Sequence, residues 1–305
     1  MKKSLLFLVV VMLISTLTPV CAQTPPDTPS PPKVLLIVRE DIKPGMMAAH
    51  NKHSAGYANI FRTLATPNHR IALVPVTGSE NEVIYITGGD SFAEIESILN
   101  ATDKKMSGIT GNWKTEVDRL DKEAPLLHAG MRDMLAVFRP ELSYNAGVDV
   151  RQMRYFSITT IRVRPGHDAQ YADYVQNMIN VARRNAKLDT LHLAAFQIIS
   201  GAPNGIYMFF RPMKSLAELD VPLGMKMRAA MSEETRKEAD KTASDAVMSS
   251  ETSTYRMTPG MSYVDKDFIA GDSAFWTPKA EAIARPKPKR RIHKPMAPPP
   301  PPPAN

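Results

Sequence analysis

Two stretches of this chain carry the same sequence of apolar and polar runs. Val34-Leu35-Leu36-Ile37-Val38-Arg39 is β-rich and runs into Lys43-Pro44-Gly45; Tyr155-Phe156-Ser157-Ile158-Thr159-Thr160-Ile161 runs into Arg164-Pro165-Gly166. Pro-Gly after a strand ends pairing and lets a helix begin. Apolar residues then recur at helical spacing, at Met46, Ala49, Tyr57, Ile60 and Leu64 and again at Tyr171, Val175, Met178 and Ala182. Residues 70–76 with 82–87, and 191–199 with 205–211, are β-rich and joined by Gly/Asn/Pro segments, which predicts a hairpin in each stretch. Ser91-x-x-Glu94 and Ser215-x-x-Glu218 are capping boxes, in which hydroxyl and carboxylate satisfy amides that a helix start leaves bare. Longer helical regions are expected over about 103–135 and 222–248. Pro140-Glu141-Leu142-Ser143-Tyr144 and Pro259-Gly260-Met261-Ser262-Tyr263 are read as the strands that close each stretch.

The two stretches align in order. Pro44 and Pro165 are 121 residues apart, and His69–Asn81 falls on His192–Asn204 without a gap at 123. Ser91 and Ser215 differ by 124, and Pro140 and Pro259 by 119. Four blocks in register predict a tandem duplication. The order β-α-β-β-α-β is a ferredoxin-like split unit, whose sheet keeps one apolar face uncovered. Two such units cover each other sheet to sheet. The expected fold class is therefore α+β: two ferredoxin-like units forming an intramolecular pseudo-dimeric α/β barrel.

On these residues the chain resembles the dimeric α/β-barrel superfamily, which includes antibiotic-biosynthesis-monooxygenase-like, NIPSNAP-like and EthD-like proteins. The likeness rests on element order, the Lys/Arg-Pro-Gly turn and the Arg139-Pro140-Glu141-Leu142-Ser143-Tyr144 segment, over about 33–145 and 153–264. It implies a fold. Function has to be argued from a site.

The ends change the picture. Lys2 and Lys3 precede an apolar run from Leu5 to Leu17 and a Val20-Cys21-Ala22 site before Gln23, the pattern of a signal peptide over 1–22. Export is expected, periplasmic or extracellular, with cleavage after Ala22 favoured over lipidation of Cys21. Cleavage removes the one cysteine, so disulfides play no part. No other apolar run reaches the length of a membrane span. A Pro-rich spacer (23–32), a first unit (33–145), a linker (146–152), a second unit (153–264), a C-terminal strap (265–284) and a basic Pro-rich tail (285–305) complete the expected organisation. The formal charge of +7 becomes +5 without Lys2 and Lys3. Arg285, Lys287, Lys289, Arg290, Arg291 and Lys294 carry six more positive charges with no acid among them, leaving residues 23–284 at −1. A near-neutral body offers no basic face to a nucleic acid. The tail itself is suited to an anionic envelope polymer or lipid.

No Gly-x-Ser-x-Gly, phosphate loop, His-Glu-x-x-His or dinucleotide fingerprint is present, and no cofactor is expected. His50 and His53, an i, i+3 pair on the first helix, are candidate acid–base residues. Arg39, opposite Thr160 in the alignment, is a candidate for an anionic substrate group. His50 and His53 align with Tyr171 and Tyr174, so the shared scaffold does not require histidine there. With no third ligand placed beside them, no metal is assigned. His69 and His192 occupy one register in both copies and, with Tyr171 and Tyr174, are candidate ligand-binding positions. The leading reading is a binder of a small apolar or aromatic molecule, in a barrel cavity or the cleft between copies. A cofactor-independent monooxygenase-like enzyme and an envelope protein tethered by its tail are the alternatives.

Overall fold

The computed structural model describes residues 29–277. The expected signal segment, spacer residues 23–28 and everything from 278 onward, including the six basic tail residues, lie outside the described residues.

In the first half, β1 (Val34–Ile42) turns through Pro44-Gly45 into α1 (Met47–Leu64). β2 (Ile71–Pro75) and β3 (Glu82–Gly89) form a hairpin, followed by α2 (Phe92–Ser107), α3 (Gly111–Leu127) and β4 (His128–Phe138). In the second, β5 (Tyr155–Val163) leads to α4 (Asp168–Asp173), a π-helical turn (Tyr174–Ile179) and α5 (Asn180–Asn185), which succeed one another without a break. β6 (Ala194–Ser200), β7 (Ile206–Met213), α6 (Leu223–Ala229), α7 (Glu233–Ala246) and β8 (Val247–Met257) complete it, and α8 (Lys266–Gly271) and α9 (Ser273–Trp276) come after. Among the described residues, no helix is long and apolar enough to cross a membrane.

The strands close into an antiparallel barrel in the order β1-β3-β2-β8-β5-β7-β6-β4. Each half contributes four strands in the same relative order, β4-β1-β3-β2 and β8-β5-β7-β6. Two seams join them: Leu73–Pro75 against Met257–Tyr255, and Leu135–Phe138 against Ser200–Phe196. Every described strand thus has a partner on both sides, but at the two seams only over three or four residue pairs, so the first parts of β4 and β8 are paired on one side alone. One apolar cluster draws residues from all eight strands and so fills the lumen; Ile37, Leu73 and Ala136 have no exposed surface there. Trp276 joins that cluster from α9, its Nε1 donating to the Arg151 carbonyl at 2.8 Å. The helices cover the outer faces, with Ile60 of α1 packing on Val117 and Leu120 of α3.

Three expectations change. The helical regions drawn over 103–135 and 222–248 end at Leu127 and Ala246, and the next element in each half is the closing strand, β4 or β8. The Pro-x-x-Ser-Tyr segments are therefore not those strands. Pro140 opens a 3-10 turn, and Tyr144 makes a single bridge to Leu193; Tyr263 makes the matching bridge to Arg70. Each segment thus clasps the opposite half. Ser143 Oγ accepts from the Ala195 amide and Ser262 Oγ from the Ala72 amide, both at 2.9 Å. A buried amide left unpaired costs about 1–3 kcal/mol, so each hydroxyl matters to the seam. The capping boxes also diverge. Ser91 accepts from the Glu94 amide and opens a full helix, whereas Ser215 accepts from the Ala217 amide and opens only the 3-10 turn Leu216–Asp220. Pro222 lies just beyond that turn, and a proline biases its predecessor away from helical geometry.

Candidate functional site

Strand alternation sends neighbouring β1 residues to opposite faces, and this separates the candidates. Arg39 belongs to the lumen. Its Nε donates to Glu82 Oε2 at 2.5 Å, and the hydroxyl of Tyr255 donates to Glu82 Oε1 at 2.5 Å. Burial alone would lower the Arg39 pKa, but the Glu82 carboxylate more than offsets it and the net shift is upward. Arg39 is thus spoken for by a buried carboxylate. It does not join His50 and His53.

Those two histidines lie on the buried face of α1, under which Glu40 points outward from the barrel. His50, with no exposed surface, has Nε2 2.7 Å from Glu40 Oε2 and 3.3 Å from Ser54 Oγ. The Tyr85 hydroxyl donates to Ser54 Oγ at 2.6 Å. His128, at the start of β4, completes the group: a register shift between Asp41 and Ile42 sets it opposite Ile42, with Nε2 3.4 Å from Glu40 Oε2. The His53 ring lies 5.8 Å from that of His128 and 6.4 Å from that of His50. Burial lowers the His53 pKa, and the cationic forms of His128 and His50 lower it further against the opposing pull of Glu123. Burial alone would raise the Glu40 pKa, but its hydrogen bond and charge interaction with His50 reverse this and hold it below the ordinary glutamate range.

The corresponding place in the second half is a pocket. Between the outer face of β5 and β7 and the α4–π–α5 segment lies a cavity of about 470 Å³, lined by Tyr171, Tyr174, Phe209, Leu193, Met227 and Arg183 among others. The π-turn Tyr174–Ile179 supplies Tyr174, Val175 and Ile179 to its wall; such turns insert a residue and recur at functional sites. Arg183 Nη1 donates to Asn180 Oδ1 at 2.6 Å, while its buried Nε has no partner. No described carboxylate forms an ion pair with it. Burial pushes its pKa down to about 10, with Tyr171, Tyr144 and Tyr174 opposing. Arg211 stands in the same wall, donating to the Glu218 carbonyl at 2.8 Å.

Of the paired positions, Tyr171 and Tyr174 therefore meet in this pocket, with ring centroids 6.3 Å apart. His69 and His192 sit elsewhere, at the seams between the halves. His192 Nδ1 donates to the Asn145 carbonyl at 2.7 Å; His69 Nδ1 lies 3.5 Å from Asp265 Oδ2, its ring edge-on to Tyr263. A further cavity of about 440 Å³ opens at one barrel mouth among Leu35, Phe156, Phe196, Phe210 and Phe268, and is almost wholly apolar. Its charged lining residues, Asp149 and Arg151, pair with each other at 2.7 Å. Glu40, His128 and Arg183 carry the polar chemistry of these sites and were not singled out from sequence. The one usable signal was alternation along β1, which puts Glu40 on the face opposite Ile37 and Arg39.

No known protein family and no curated protein matches this chain. Solved structures with a similar course include a candidate monooxygenase from Fusobacterium nucleatum subsp. nucleatum, at 10% identity, covering 75% of this chain and 93% of that one, TM-score 0.44. An anthrone oxidase-like protein aligns at 11% identity over 74% of this chain and 91% of its own, TM-score 0.45. A mutant chlorite dismutase from Candidatus Nitrospira defluvii in complex with cyanide aligns at 10% identity over 75% and 92%, TM-score 0.44. Likeness at this level carries no argument about activity. The class of the chain, an α+β protein built on a closed eight-stranded antiparallel barrel, rests on its own strand order.

Proposed function

We propose that this protein binds a small apolar or aromatic carboxylate in the pocket beneath α4 and α5. The observation that carries the reading is Arg183: a guanidinium in a wall of tyrosines and aliphatic side chains, with no acid beside it. Burying a charge without a counter-ion is costly, and a ligand carboxylate would meet that cost with a charge-assisted, two-pronged hydrogen bond. The cavity has the size and mostly apolar character of small-molecule sites. This moves the expected binding place from the lumen or the cleft between halves to the outer face of one half. The monooxygenase reading rests on His50, His53 or Arg39, which the barrel wall divides into two sets: Arg39, paired with Glu82 in the lumen, and the two histidines on the outer side.

A matched pair of probes tests the reading. 2-Naphthoate should raise the melting temperature in a dose-dependent way, and 2-naphthamide, of nearly the same shape, should not. Equal shifts from both, or none from 2-naphthoate and decanoate alike, would remove the proposal.

Three features outside the site belong with this reading. We infer that the halves arose by duplication, within the dimeric α/β-barrel superfamily; matching strand starts at Val34 and Tyr155, and at Glu82 and Ile206, support it. Superposing the halves should pair Pro44 with Pro165 and His69 with His192, and a best fit in another register would refute it. Export is supported by Lys2-Lys3, the apolar run and Val20-Cys21-Ala22. N-terminal sequencing of the protein recovered outside the cytoplasm should begin at Gln23; retention with Met1 intact would contradict export. The six basic residues of the tail suit an anionic envelope partner, and release of the exported protein from the cell envelope by high salt checks that.

A further inference from the structure

We infer that Glu40, His50 and His128 form a binding site for a divalent transition-metal ion, zinc foremost. One donor atom from each of the three side chains lies within 4.8 Å of the other two. Two imidazoles and one carboxylate are a donor set that zinc takes readily, leaving a fourth position for water. Ligands at zinc–nitrogen and zinc–oxygen bond lengths stand about 3.4 Å apart around a tetrahedral ion. His128 Nε2 already sits 3.4 Å from Glu40 Oε2. His50 Nε2, at 2.7 Å, shares a proton with the same oxygen, and binding would expel that proton as the pair opens toward the same spacing.

Two observations separate this from a buried hydrogen-bond network. First, the network is incomplete: the buried His128 Nε2, 3.4 Å from the Glu40 carboxylate, makes no hydrogen bond to it, and His53 Nδ1 has no partner either. Buried polar atoms are seldom left so in a purely structural role. Second, the other half folds without any of these residues. Ile161, Tyr171 and Val247 stand at the corresponding places on β5, α4 and β8. Three separate positions therefore hold ligating side chains in one half and none in the other. His53, whose ring lies 6.4 Å from that of His50, lines with Glu123 a surface cavity of about 290 Å³ over α1 and α3.

The test uses the untagged chain, freed of metal by a chelator and titrated with Zn(II) and Co(II) alone. One equivalent should bind with micromolar affinity or better. Co(II) should show the absorption of a low-symmetry nitrogen–oxygen site, and Zn(II) should raise the melting temperature. Glu40→Gln and His128→Val should each weaken Zn(II) binding at least tenfold, whereas His167→Asn, on a half-buried histidine of the second half, should not. His128→Val installs the residue that the second half uses, so its fold should survive; far-UV circular dichroism checks this, and Glu40→Gln preserves shape in any case. Zn(II) bound in less than one equivalent, or with affinity unchanged in folded Glu40→Gln and His128→Val, would overturn the site. The naphthoate probe reads a different pocket, so either proposal can fail without the other.

Discussion

Arg183→Met is expected to raise the melting temperature of the ligand-free protein while abolishing its response to an apolar carboxylate. The two effects have one cause. The guanidinium is desolvated by burial and is answered by the Asn180 amide oxygen at 2.6 Å and, more weakly, by Tyr171, Tyr144 and Tyr174. Replacing buried charge by an apolar side chain of similar length is often stabilising, by about 1–4 kcal/mol. Methionine is flexible enough to fill the same space. Losing one partner of a buried charge pair typically costs about 2–5 kcal/mol of binding, so naphthoate affinity should fall by roughly 30-fold or more. A structural arginine would behave otherwise, since its loss would destabilise the protein and shift affinity only in passing. Thermal melts with and without 2-naphthoate read both quantities. A lower melting temperature with the naphthoate response intact would show that Arg183 holds the fold rather than a ligand.

The sequence displays the frame of this molecule better than its sites. Pro44-Gly45 and Pro165-Gly166 announce the first strand and helix of each half, because a turn signal acts through local backbone geometry. β4 and β8 were hidden for the opposite reason. Their first residues, such as Met131, Arg132 and Asp133 or Ser249, Ser250 and Glu251, are largely exposed, so apolar alternation sets in only near Met134 and Ser253. A strand that begins straight out of a helix, with a polar first half, looks like more helix. That misplacement also concealed His128, which reaches Glu40 only because the strand begins there. Arg183 and Arg184 are adjacent and chemically identical in the sequence. A helix turns one inward and leaves the other exposed, and the π-turn before them decides which. Pairing of distant segments and the phase of a helix are set by tertiary packing, which no local window contains.

The most destabilising single methylene should be the one added by Gly201→Ala. Gly201 adopts φ +85, a region that alanine enters only at a cost. A Cβ there would overlap the Asp133 carbonyl oxygen and stand 2.9 Å from Met134 Cα, both backbone atoms of β4. Neither can rotate away, so β4 must part from the β6–β7 turn. The seam there is narrow: four residue pairs, Leu135 to Phe138 against Ser200 to Phe196, join these strands. Gly78 holds the matching position at the other seam with φ +94, but its added Cβ would meet the Ser253 hydroxyl, which belongs to a side chain that can turn. Gly45, at φ +78, has open space around it and bears only the conformational cost. Urea midpoints should therefore fall in the order Gly45→Ala, Gly78→Ala, Gly201→Ala. The first should lose about 1 kcal/mol and the last more than about 3 kcal/mol, enough to unfold a marginal domain. If Gly201→Ala lost no more than Gly45→Ala, the close approach of the two halves at this seam would be wrong. The barrel would then be held by its lumen rather than by its seams.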